Sequence, residues 1–484
     1  MKQPIVFSPA VEIVQKIKAK ECSVVELVKA FLEQIKRHNP TINAIYELRK
    51  EEDILKEAAQ KDAAIANGEA LGALHGLPMT IKDSFAVKGM LSSNGDPFLK
   101  NNRATEDAAL VKRLKDAGVI ILGKTNIPLF CIDWQSTNTW NGQTNNPYDL
   151  NRVAGGSSGG AAAAVTAGFS TLELGSDAGG SIRVPAHFCG LCGLRPTENA
   201  LPMRGHLKYP KQPDGNKHIV VAGPLAKNMA DLQLMLSVLW NNKDYPLDEH
   251  APVPLDYSSW DNKPLNIAVA KTINDTIVDQ EYATIFQDFI TKIQNQKHTI
   301  HYDYPVYNEA KAYQTCGEIL GFENRMNAPQ LPLTAWGMYA FIRLKYKDQA
   351  WAKSMRAGIN LSAVDYAKAI DFKRSFLAIY QRFFEQYDLW ITPVCAIEAF
   401  QHQRAGIPFM INNQKTPYTK AIGSFTFTTA LSGHPILVIP IGRKKNGMPV
   451  GIQIHAPKWS DNRLVEIGKA FEKLVEGFKI PELG

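Results

Sequence analysis

The chain has 484 residues, and 54 Lys plus Arg against 47 Asp plus Glu leave a net charge of +7 with histidine neutral. Hydrophobic residues at 45 % and charged residues at 21 % exclude wholesale disorder, and no run approaches the roughly 18 apolar residues of a membrane span. Six cysteines are too few for a disulfide scaffold, and Pro4 and Glu12 interrupt the apolar N-terminal run that a signal peptide needs, so a reducing, cytoplasmic setting is expected.

The first sixty residues read as helices. Ser8-Pro9 reads as a cap with proline at the first helical position, followed by Val11, Val14 and Ile17 at near-helical spacing. Ser23 and Glu26 make a capping box, Leu27, Phe31 and Ile35 share the face behind it, and Asn39-Pro40 is expected to end the helix. Met79 to Ile81 reads as a short strand with Lys82 and Asp83 at its end. Thr105 is expected to cap a helix carrying Ala109, Leu110, Val111 and Leu114, which Gly118 stops before a buried strand from Val119 to Leu122. Helix followed closely by strand points to an α/β layer protein.

Residues 154–193 hold ten of the 34 glycines, a density that implies sharp turns or close backbone approach. Between the glycine clusters, Ala161 to Ala167 is expected to be a tightly packed helix and Thr171 to Leu174 a strand. Residues 240–385 show amphipathic helical patterning, for example Ser362, Tyr366, Ile370 and Phe376. Trp336, Met338, Tyr339 and Phe341 are acyl-pocket candidates there, for which core packing is the better reading. From 388 the chain returns to strands at LWITP, PILVIP and PVGIQIH, and a last helix carries Leu464, Ile467, Phe471 and Leu474. No repeat or low-complexity linker divides the chain, which favours one large domain over several small ones.

Several motifs compete for attention. Gly118 to Thr125 matches a P-loop letter by letter, but its four middle residues are themselves the strand, and Pro128 falls where the following helix belongs. Cys189-x-x-Cys192 lacks a second pair or flanking histidines, so buried thiols are the better reading. The basic runs at 112–115 and 443–445 lack interleaved aromatics and read as solvated surface. GGSSGG at 155–160 contains two G-x-S-x-G patterns, but residues 146–152 before it read as loop rather than the strand of a nucleophile elbow. A second serine, Ser181, follows Gly179-Gly180. Two glycines there let backbone N–H groups converge beside the hydroxyl.

GGSSGG and GSDAGGSIRVPA, joined by an alanine-rich helix, together with GLPMTIKD upstream and HFCGLCGLRPT, GPLAKNMADL, YDLWITP, SGHPILVIP and GMPVGIQIHAP downstream, resemble the amidase signature family. The resemblance covers roughly 8–240 and 385–475. It implies an α/β amidase signature fold with a large mixed central β-sheet covered by helices on both faces. The domain would span 1–484, with the signature core at about 70–230 and 385–475 and a variable helical substrate-pocket segment at about 240–385.

The resemblance further implies a Ser–Ser–Lys triad. Ser181 would be the nucleophile, Ser157 the bridging serine and Lys82 the base, the family's spacing of 24 residues selecting Ser157 over Ser158. It implies a cis bond between Gly156 and Ser157, and an oxyanion site from the N–H groups of Ala178, Gly179, Gly180 and Ser181. Ser158, Asp177 and Arg183 would fix the loop by hydrogen bonds. Trp134 and the run Gln135-Ser136-Thr137-Asn138 would lie near the substrate. The implied activity is hydrolysis of a small-molecule carboxylic amide, with neither metal nor organic cofactor and no nucleic acid, and it leaves room for a homodimer.

Two alternatives stand beside it. The A subunit of glutamyl-tRNA(Gln) amidotransferase, within the same family, usually continues QPA after GGSIR and carries Ser-Leu-Asp before the GP segment. This chain has Val184-Pro185-Ala186 and then HIVVAGPLAK, a departure that argues for a free-standing amidase. A non-catalytic protein on the same fold is disfavoured by the intact Lys82, Ser157 and Ser181.

Overall fold

The computed structural model describes residues 4–207, 218–240, 260–273, 275–327, 332–347 and 349–483. Among them, eleven strands form one mixed sheet: β1 (Ile45–Leu48), β2 (Pro78–Lys82), β3 (Ile120–Thr125), β4 (Glu173–Asp177), β5 (Cys192–Arg195), β6 (Val221–Ala226), β7 (Asn266–Val269), β8 (Thr299–His301), β9 (Leu389–Pro393), β10 (Ile436–Arg443) and β11 (Pro449–His455). Their spatial order is β1-β3-β2-β4-β6-β5-β10-β11-β9-β7-β8. The neighbours β3-β2-β4 and β9-β7-β8 run parallel, and the strands between them pair antiparallel.

β2, β3 and β4 are buried along their whole length, as strands are when both faces of a sheet are covered. Register shows which helix covers which face. Leu437 pairs with Leu194 and Val438 with Gly193, so the two pairs point to opposite faces. A Cβ on Gly193 would stand 3.0 Å from Ala186 Cβ in the helix Arg183–Cys189. On the other face, Leu437 meets Gly468 of the helix Asp461–Glu472, whose own added Cβ would stand 2.8 Å from Met229 Cε of the helix Met229–Leu239. The helix Gly159–Thr166, buried at every residue, packs on β2, β3, β4 and β6 and against Arg183–Cys189.

Several expected boundaries move. The helix with the Ser23–Glu26 capping box runs through Pro40 to Ile42. There the Asn39 side chain accepts from Ala44 N and Ile45 N, at 2.9 Å each, and holds the chain as it leaves. Ser8 does not cap the helix Ala10–Lys18. The Asp231 carboxylate does so from across the molecule, accepting from Ala10 N at 2.8 Å and Val11 N at 2.9 Å. Thr105 is exposed and caps nothing, because Ala104 and Ala108 still pair with Met90 and Ala86 before the helix Ala109–Asp116 begins.

The strand expected from Thr171 starts at Glu173, since Thr171 N and Oγ1 both turn to Pro78 O. Residues 146–152 are not loop throughout. Asp149–Val153 is a short strand in a hairpin outside the main sheet, where Val153 N reaches Phe400 O. All six cysteines are free, and Cys189 and Cys192 turn their thiols to different partners, Ala154 O and Glu472. No helix among the described residues is long and apolar enough to cross a membrane.

Candidate active site

β2 and β4 run parallel with Thr80 opposite Glu173, so their C-terminal ends bring Lys82 beside Ser176 and Asp177. The loop entering the helix Gly159–Thr166 closes over the same point. Lys82 Nζ lies 2.8 Å from Ser157 Oγ, 2.9 Å from Ser158 Oγ and 2.8 Å from Ser176 Oγ. Ser158 N donates to Ser181 O at 3.2 Å, which stitches the two glycine-flanked serine segments together. The Gly156–Ser157 bond is cis. Gly156 has no room for a side chain, as a Cβ there would stand 2.6 Å from Asp133 O and 2.7 Å from Gln135 N.

Lys82 is fully buried, and that burial pushes its pKa down from the lysine value. Cys131, Asp177 and Glu173 pull the other way without cancelling the effect. Burial also acts on Asp177 and would raise it, but the Arg183 and Arg195 guanidiniums and the Gly180 N–H outweigh this and hold the carboxyl well below its usual range. Asp177 is the hub of the second loop. Its oxygens accept from Gly180 N at 2.9 Å, Ile182 N at 3.0 Å, and Arg183 Nε and Nη2 at 3.0 and 2.9 Å. Arg183 spans onward to Thr429 Oγ1, Gln453 Oε1 and Thr426 O.

The family model for amidases matches residues 26–465. The chain belongs to the amidase family. The A subunit of glutamyl-tRNA(Gln) amidotransferase from Carboxydothermus hydrogenoformans is 31 % identical to it over 98 % of each chain. A structure solved in a study of a vestigial protein complex and the origins of an s-triazine catabolic enzyme aligns with TM-score 0.81 at 26 % identity, over 98 % of this chain and 100 % of that one. A bacterial aryl acylamidase of the amidase signature enzymes aligns at 0.80 and 24 % identity, over 98 % and 97 %, and shows the same fold.

In this amidase family member the serines open onto a cavity of about 70 Å³, room for on the order of five waters. Ser157, Ser176, Ala178, Gly179 and Ser181 form one side of it. Ser181 is half-buried, and no hydrogen bond joins its hydroxyl to Ser157 Oγ among the described residues. Gly180 is not part of the lining, because its N–H turns inward to Asp177. The Gly179–Gly180 peptide is fixed from its other end too, since Gly179 O accepts from Trp134 Nε1 and Thr426 Oγ1, each at 3.0 Å.

Of the run at 134–138, only Trp134 reaches the cavity. Gln135 lies behind it and donates to Tyr418 OH at 3.2 Å. Ser136 holds the serine loop through Ser157 O and Gly159 N, and Asn138 holds Asn126 and Ile127.

The rest of the wall was not anticipated. It includes Cys131, His206 and the apolar side chains of Leu320, Trp351, Met355 and Phe427. Its carboxylate, Asp133, is already paired with Lys345 Nζ at 2.6 Å and Tyr418 OH at 2.8 Å. Met338 is buried and Tyr339 and Phe341 half-buried, all away from the cavity, as core packing requires, and the Trp336 side chain lies outside the described residues. No group of three or more His, Cys, Asp or Glu with metal-holding geometry occurs among the described residues. Lys124, from the P-loop look-alike, is a buried lysine donating to Asp83 O and Phe85 O, which braces the turn after Lys82.

Proposed function

We propose that the protein hydrolyses a carboxylic amide to the acid plus ammonia or an amine, with Ser181 as nucleophile, Ser157 as relay and Lys82 as base. The observation that carries this reading is Lys82 Nζ, buried and 2.8 Å from Ser157 Oγ, with Ser157 and Ser181 both lining one cavity. A serine hydroxyl needs a base, and a lysine serves as one only when neutral. Burial favours that form. A neutral amine has two N–H donors and one lone pair. Ser158 and Ser176 take the donors, and the Ser157 hydroxyl gives its proton to the lone pair.

Ser157 in turn takes the Ser181 proton as Ser181 Oγ attacks the carbonyl carbon. The oxyanion is held by the N–H groups of Ala178, Gly179 and Ser181, which no described backbone group accepts. When the C–N bond breaks, the proton returns through Ser157 to the departing nitrogen. Water then attacks the acyl-Ser181 ester, passes a proton along the same path, and releases the acid. The apolar wall suits an uncharged acyl group.

The curated relatives favour a second reading, in which the chain is a glutaminase subunit of an amidotransferase. The chemistry at Ser181 is the same in both, and the acyl donor differs. Glutamine would bring an α-carboxylate to a wall whose described residues include no lysine or arginine, and whose one carboxylate, Asp133, is already paired with Lys345.

We also read residues 1–484 as one domain, since one sheet draws strands from both ends of the chain. We place it in the reducing cytoplasm that six free cysteines suit. The test of the reaction is a fluorophosphonate probe with an amide panel. Ser181 is expected to be labelled, and Ser181→Ala to lose both labelling and turnover. Labelling unchanged in Ser181→Ala overturns the assignment.

A further inference from the structure

We infer that His206 accepts a hydrogen bond from the N–H of the substrate's departing nitrogen and so selects amides over esters. This rests on the amide-hydrolase reading and adds a recognition residue to it. His206 is 1 % exposed, its ring lines the same cavity as Ser157 and Ser181, and neither ring nitrogen has a hydrogen-bond partner. A buried imidazole left in that state costs free energy that a ligand can return. His455 also lacks partners, but it packs on Trp390 at 4.5 Å and is not part of the cavity wall. His187, by contrast, is satisfied at both nitrogens, by Ile397 O and Gly451 N.

The ring is held in place from behind. His206 N donates to Met203 O, its backbone bridges to Phe85, and its ring lies 4.8 Å from the Phe85 ring. Gly205 before it has φ of +84°, with no room for a Cβ against Ala108 Cα at 2.6 Å. Burial and the nearby Lys82 hold the imidazole neutral, with one N–H and one lone pair.

The side of the cavity matters. The carbonyl oxygen belongs at the N–H groups of the 178–181 loop, so the nitrogen is the remaining polar end of an amide. That nitrogen must receive its proton from Ser157 and Lys82, which places it on the Lys82 side. His206 is on that side: its ring packs at a tilt against Phe85, three residues beyond Lys82, and the next residue, Leu207, donates through its N–H to Ser84 O. An imidazole lone pair accepting the amide N–H turns the nitrogen's own lone pair toward the relay. An ester has no N–H to offer.

The test compares wild type, His206→Phe and His206→Gln on benzamide and ethyl benzoate, which share an acyl group. Glutamine keeps a donor and an acceptor, whereas phenylalanine keeps only the bulk. The ratio of kcat/KM for amide over ester should fall at least tenfold in His206→Phe and return to within threefold in His206→Gln, with thermal midpoints matched. An unchanged ratio in His206→Phe overturns the inference. Calorimetric binding of both compounds to Ser181→Ala, with and without His206→Phe, separates this from the hydrolase reading. Amide-selective binding that depends on His206 but no turnover by wild type sinks the hydrolase reading alone. Benzamide binding that is absent, or equal in both variants, sinks this one.

Discussion

Lys82 and Glu173 show how two buried ionisable groups near one another titrate with opposite consequences. Burial lowers Lys82, so the neutral amine is the form the relay uses. Amide turnover should rise with pH through one ionisation lying below the ordinary lysine value and then level off, and Lys82→Arg should abolish the rise because a guanidinium stays protonated. Lys82→Ala should lower amide kcat/KM by about 100- to 10,000-fold. A matched ester should lose less, since an alkoxide departs without a delivered proton; equal losses would count against Lys82 as the acid–base group. Glu173 sits under the site, hydrogen-bonded to Thr80 and Thr125, and burial pushes its pKa up to about 8. The native state therefore holds a proton that the unfolded chain gives up near its ordinary value of about 4.3. Stability should fall as pH rises from there to about 8 and flatten above. Glu173→Gln should remove that slope, raising the thermal midpoint relative to wild type at pH 8 while the two coincide near pH 4. Parallel melting curves at all pH values would show that Glu173 is ionised in the fold.

Two helices form much of the far wall, Glu309–Asn327 and Ala350–Ile359, and small residues let them cross closely. A Cβ on Gly321 would stand 3.0 Å from Gly358 Cα, and one on Gly358 would stand 2.9 Å from Glu318 Cα. Their crossing puts Leu320 and Asn324 beside Trp351 and Met355 at the cavity. Gly321→Val should push the pair apart, costing roughly 1–3 kcal/mol in denaturant melts and raising KM for small amides more than it lowers kcat. A kcat loss without a KM change would place the wall elsewhere. None of this was legible in the sequence, because Leu320/Asn324 and Trp351/Met355, each four apart, look like any buried helical face. Along the chain from β2 through GGSSGG and the alanine helix to GGS, the strand and the helix were legible from their residues, and the roles of Lys82, Ser157 and Ser181 only through the resemblance to the amidase signature motifs. What failed there depended on orientation, as with the Gly180 N–H turning to Asp177 and Gln135 turning to Tyr418. The cap on Ala10–Lys18 failed for a different reason, since its carboxylate, Asp231, comes from 221 residues away. Asp231→Ala should cost on the order of 1 kcal/mol in a denaturant melt with activity retained, and no shift in the midpoint would discount that cap.

The sheet weaves the N-terminal strands β1 to β6 into the same surface as β9 to β11 from the far end of the sequence, and the cavity is walled from segments just as distant. Residues 130–134, Ser157, Ser181, His206, Val220, Leu320, Trp351 and Phe427 all reach it from one chain. Lys82, Ser157 and Ser181 likewise need nothing from outside to come together: Lys82 and Ser157 by their hydrogen bond, and Ser181 through its carbonyl to Ser158 N. The purified chain is therefore expected to hydrolyse small uncharged amides on its own, without ATP, tRNA or another subunit. The 31 % identical A subunit makes the opposing expectation concrete, that turnover would need glutamine and a partner. Steady-state release of ammonia or amine from the isolated protein, with benzamide, butyramide and glutamine side by side and Ser181→Ala as blank, decides between them. If the apolar wall sets the acyl preference, the uncharged amides should outrun glutamine by at least tenfold in kcat/KM. Turnover of glutamine alone, and only after a second subunit is added, would make this chain a glutaminase subunit and overturn the free-standing reading.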